Sequence, residues 1–75
     1  MKIEIPEDIT SEDIEIAIVK WIYGRNGERN RAILHRRLVD GIKFDALAEE
    51  FELSVRQTKN IVYKGSSKIF KHLPR

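Results

Sequence analysis

Gly41-Ile42-Lys43-Phe44-Asp45-Ala46-Leu47-Ala48-Glu49-Glu50-Phe51-Glu52-Leu53-Ser54-Val55-Arg56-Gln57-Thr58-Lys59 is the stretch on which the fold turns. Phe44, Leu47, Ala48 and Phe51 recur at helical spacing, so Phe44 to Phe51 reads as a short amphipathic helix. Ser54 with Gln57 three residues later fits a capping box, in which each side chain satisfies a free backbone N–H at a helix start. A further helix follows, with Thr58, Val62, Gly65 and Ile69 on its inner stripe and Ile61 at the border. Two helices joined by so short a turn form a helix-turn-helix. That unit needs a small residue where the helices cross, which Ala48 supplies. It also needs an apolar plug in the turn, which Leu53 supplies.

Upstream of this unit the chain supplies supporting helices. Thr10-Ser11-Glu12-Asp13 joins a hydroxyl acceptor to acids that favour the positive end of a helix. The first helix is therefore expected over Ser11 to Tyr23, with Ile14, Ala17, Ile18 and Trp21 on its core stripe and Gly24 as its stop. Arg25-Asn26-Gly27 is a turn. A second helix is expected over Glu28 to Asp40, carrying Ile33, Leu34 and Leu38 inward and ending at Gly41. Residues 1–10 read as an N-terminal arm, 11–40 as supporting helices and 41–75 as the helix-turn-helix with a basic tail. The fold class expected is all-α, a single domain of three or four helices. Gly65-Ser66-Ser67, poor helix formers, are expected to interrupt the last helix.

Charge is distributed unevenly along the 75 residues. Residues 1–23 carry two basic and six acidic side chains, and residues 24–52 carry six of each. Residues 53–75 carry Arg56, Lys59, Lys64, Lys68, Lys71 and Arg75 and no acid. A basic block at one end is the footprint of a polyanion-binding surface. The first residues of the last helix, Arg56, Gln57, Lys59 and Asn60, are side-chain types that read base edges in the major groove. Lys64 and Lys68 further along, and Lys43 before the shorter helix, suit phosphate contact.

The same stretch resembles region 4 of sigma-70-type factors. The shared pattern is a Gly ending one helix, a short helix with the Leu47-Ala48-Glu49 trio, the apolar-Ser turn Leu53-Ser54, and a basic recognition helix. The likeness extends over about Arg29 to Leu73. Thr58 departs from it, standing where the pattern carries an aliphatic residue. The resemblance implies sequence-specific binding of double-stranded DNA and transcriptional regulation in a bacterium or phage, by a stand-alone module rather than a complete sigma factor. Region 4 also binds polymerase subunits and anti-sigma proteins. A second implied reading is therefore an adaptor or inhibitor that docks on RNA polymerase.

Other chemistries find little support. The chain has no cysteine and two distant histidines, which argues against disulfides and structural zinc. No catalytic constellation stands out, and no cofactor is expected. The carboxylates Glu49, Glu50 and Glu52 would need a cleft to act as acid and base. No apolar run approaches the ~20 residues of a membrane span, and the acidic start is not a targeting signal. The expectation is a cytoplasmic protein without membrane contact. Arg29, Arg31, Arg36 and Arg37 are candidates for backbone contacts to DNA or for ion pairs with the acidic first segment. Tyr63 is divided between phosphate contact and packing on the first helix. Trp21 reads as core, and His72 receives no role. Ile16 and Val19 exceed what one core face of the first helix needs. A two-fold homodimer and a cover of Ile3, Ile5 and Ile9 from the arm are both open.

Overall fold

The computed structural model describes residues 10–72 and begins at a capping box. Residues 1–9 and 73–75 lie outside the described residues, and with them the expectations for Ile3, Ile5, Ile9 and Arg75. Thr10 Oγ1 accepts the N–H of Asp13 at 3.1 Å, and Asp13 accepts the N–H of Thr10 at 3.2 Å. This starts α1 (Ser11–Trp21), which is followed by α2 (Gly27–Leu38), α3 (Phe44–Glu50) and α4 (Val55–His72). The fold is an all-α domain of four helices, and no strand occurs among the described residues. Helix limits differ from the expected ones by one or two residues, the usual fraying of helix ends.

The core lies where all four helices converge. Ile14, Ala17, Ile18 and Ile22 of the α1 region meet Ile33 and Leu34 of α2, Leu47 and Ala48 of α3, and Val62 and Ile69 of α4. Trp21 is half-buried at the edge of this core rather than inside it. It stacks on His72 with ring centroids 3.7 Å apart and planes 11° apart. His72, given no role by the sequence, thus closes the far end of α4 against α1.

The Gly65-Ser66-Ser67 run does not interrupt the last helix, contrary to expectation. α4 is continuous through it. The reason lies in packing: Gly65 is the point where α4 passes Leu34 of α2, and a Cβ there would lie 2.5 Å from Leu34 Cδ1. The residue that costs helix propensity is the one that lets the two helices touch.

Polar links tie the helices at their margins. His35 Nε2 lies 2.7 Å from Glu15, joining α2 to α1. Arg36 donates to Glu50 at 2.7 Å and lies 3.6 Å from Asp40. The Glu50 hydrogen bond and charge raise the Arg36 pKa, against an opposing cost of desolvation. None of Arg29, Arg31, Arg36 and Arg37 pairs with an acid of the first segment among the described residues. Arg31 instead caps the end of α1 through the carbonyl of Ile22 at 2.6 Å, and Arg37 bonds the carbonyl of Ile42 at 3.0 Å. The ion pairs of His35 and Arg36 are exposed and worth little individually, ~0–1 kcal/mol, so the fold rests on the apolar core. No helix among the described residues is long and apolar enough to cross a membrane.

Candidate nucleic-acid interface

The α3–α4 connection is built by backbone geometry and caps. Gly41, at φ 72°, takes the left-handed conformation that turns the chain after α2. Within the second turn, Glu52 adopts φ 56° although it is not glycine. Leu53 returns its N–H to the carbonyl of Ala48 at 2.8 Å and lays its side chain half-buried on the core. The capping box then starts α4: Gln57 N–H donates to Ser54 Oγ and Ser54 N–H to Gln57 Oε1, both at 3.0 Å. Thr58 is fully buried, and its hydroxyl donates to the carbonyl of Ser54 at 2.9 Å. Its polar group is thereby satisfied at a site where the resemblance leads one to expect an aliphatic side chain.

Two predictions follow from this turn. Removing the cap acceptor by Ser54→Ala should cost about 1 kcal/mol, read as a lower midpoint in thermal unfolding. Glu52→Gly should raise that midpoint by up to about 1 kcal/mol in stability, because glycine adopts positive φ without the Cβ clash. A fall in midpoint for Glu52→Gly would mean that the Glu52 side chain makes a stabilising contact that outweighs its backbone strain.

All seven residues singled out for DNA contact are exposed: Lys43, Arg56, Gln57, Lys59, Asn60, Lys64 and Lys68. They fall into three groups. Arg56 and Gln57 lie in the first turn of α4, with the Gln57 side-chain oxygen committed to the cap and its amide NH₂ left to donate. Lys59 lies on the α3 side, its Nζ 5.7 Å from the centroid of Phe44, and Lys43 is the N-cap of α3. Asn60, Lys64 and Lys68 border a groove of about 350 Å³ whose opposite wall includes Tyr23 and Asn30. Lys68 Nζ lies 4.5 Å from the Tyr23 ring centroid.

Sequence reasoning missed the part played by Arg37. Its guanidinium lies 4.2 Å above the Phe44 ring, which also meets Tyr63 edge-on at 5.9 Å. Tyr63 therefore packs toward α3 rather than α1. Arg37, Phe44, Tyr63 and Lys59 together form a basic and aromatic shoulder beside α4. The available signal was the position of Arg37 in the last turn of α2, just before the tight Gly41 turn that returns the chain to Phe44.

The four helices differ in the electrostatics of their first turns. α1 begins with Glu12 and Asp13, α2 with Glu28 and α3 with Asp45. α4 has no acid there and carries Arg56 instead. The positive end of a helix dipole favours acids by ~0.3–1 kcal/mol and disfavours cations. Arg56 thus stands against the local preference, and its charge adds to that of the helix end. No group of three His, Cys, Asp or Glu side chains that could hold a metal ion occurs among the described residues.

Comparison with known proteins adds no relative. No protein-family model, no curated protein and no solved structure gives a significant match to the chain.

Proposed function

We propose that this chain binds double-stranded DNA by placing α4 in the major groove, as a regulator of transcription in a bacterium or phage. Arg56, Gln57, Lys59 and Asn60 select sequence, and Lys43, Lys64 and Lys68 hold phosphates. The observation that carries this reading is the first turn of α4. It presents an exposed arginine where the other three helices present acids, and all 18 residues of α4 lack an acid. Consistency between local preference and fold is the rule in a stable domain, and departures from it concentrate at functional sites. The resemblance to sigma region 4 supports the same assignment.

The test is selection from a random duplex library at near-physiological salt. Non-specific binding there has a dissociation constant of only ~10⁻⁴–10⁻⁶ M. Enrichment of a defined motif is the expected result. A folded sample that enriches no sequence transfers the reading to a protein-binding adaptor, with RNA polymerase as the first partner to assay.

A further inference from the structure

The outer face of α1 carries an apolar stripe that nothing among the described residues covers. Ile16 is 58% exposed, Val19 72% and Tyr23 67%. Ile16 and Val19, three residues apart in α1, share the side opposite Ile14 and Ile18, and Tyr23 follows just beyond the end of the helix, after the extended Ile22. The charges along this line are polarised. Glu12 and Asp13 stand at its N-terminal end, and Glu15, held by His35, lies beside Ile16. Lys20 stands toward its C-terminal end, where Lys68 also lies over Tyr23.

We propose that this stripe is a self-association surface, on which a second copy of the chain packs with its α1 antiparallel to the first. The charge pattern chooses the occupant and its direction. Antiparallel pairing about a two-fold axis between Ile16 and Val19 sets Ile16 of each copy against Val19 of the other. It also sets the acidic end of each helix over the cationic end of its partner. A parallel pair would instead place acid on acid and lysine on lysine. A two-fold interface must be self-complementary in this way, each residue i meeting j while j meets i. The helix dipoles oppose one another in the same arrangement. Three apolar side chains per copy make a small patch, of the class that gives weak, concentration-dependent association. α1 contributes none of the residues assigned to DNA binding, and Lys68, over Tyr23, is the one residue the two surfaces share.

The test begins with sedimentation equilibrium of the full chain over a wide concentration range. The average mass should rise from that of a monomer toward that of a dimer. Val19→Glu should hold the chain monomeric throughout with an unchanged helical circular dichroism spectrum, since the side chain is outside the core. The absence of native cysteine allows a direct check of direction. Glu12→Cys and Tyr23→Cys chains, mixed equally under a mild oxidant, should give the 12–23 disulfide in excess over both like pairs. The proposal is overturned by a wild-type chain that stays monomeric at the highest concentration, as when its own first nine residues cover the stripe. It is equally overturned by dimers that persist in Val19→Glu, or by an excess of 12–12 and 23–23 disulfides.

Discussion

Replacing Arg56 and Lys59 together by glutamate should abolish binding to duplex DNA while the domain remains folded. Both side chains are exposed and make no hydrogen bond or ion pair within the fold among the described residues. The cost to stability is limited to the long approach of Lys59 to Phe44, a contact worth about 0.5 kcal/mol at an exposed site. At position 56 the sign is favourable. Glutamate in the first turn of α4 complements the helix dipole that arginine opposes, by about 0.3–1 kcal/mol. The thermal midpoint should therefore stay within a few degrees of wild type. For binding, each well-formed base contact contributes about 1–3 kcal/mol of discrimination. Losing two such contacts lowers affinity by roughly 30-fold to 10⁴-fold, before repulsion of the two new carboxylates from phosphate is added. Mobility shift on a selected duplex and a thermal melt, performed on the same samples, separate the two effects. Binding that survives the exchange removes α4 from the interface.

Those elements whose sequence signals are local could be read directly. The Ser54–Gln57 box, the Thr10 cap and the stripe Thr58, Val62, Gly65 and Ile69 depend on residues within a turn or two of one another, and each is present. The exposure of the six candidate contact residues on α4 follows from the same periodicity. What sequence could not supply was the identity of partners far apart in the chain. Arg36 meets Glu50 and Arg37 covers Phe44 because α2 and α3 fold back at Gly41. Charge balance alone divided those arginines between DNA backbone contacts and ion pairs with the acidic first segment. His35 is the α2 residue that reaches α1, through Glu15, and His72 is held by Trp21. The candidate site shows the same division. Arg56 and Lys59 were legible as exposed cations, whereas the shoulder of Arg37, Phe44 and Tyr63 exists only once three helices have assembled.

Gly65 reverses the ordinary expectation for glycine in a helix. By intrinsic propensity, Gly65→Ala should stabilise α4 by ~1 kcal/mol. The new methyl, however, would lie 2.5 Å from Cδ1, 3.0 Å from Cδ2 and 3.2 Å from Cγ of Leu34. Leu34 is fully buried, at the floor of the groove that Gly65 also lines. Relief thus requires turning Leu34 toward that groove, moving α4 off α2 or forcing a strained rotamer, and overpacking of this kind costs ~1–3 kcal/mol. The net expectation for Gly65→Ala is a loss of up to about 2 kcal/mol. In a domain of this size that is a fall in midpoint of up to roughly 15 °C. Gly65→Val, with two more methyl groups in the same space, should be worse still. The cause can be isolated by a double-mutant cycle with Leu34→Ala, which alone leaves a cavity and costs ~2–5 kcal/mol. In that background the alanine at position 65 meets open space, so adding it should cost nothing and recover the propensity gain. Additive losses would place the damage elsewhere than the Leu34 contact. A rise in midpoint for the single Gly65→Ala variant would mean that α4 does not pass as close to α2 as the geometry of this core requires.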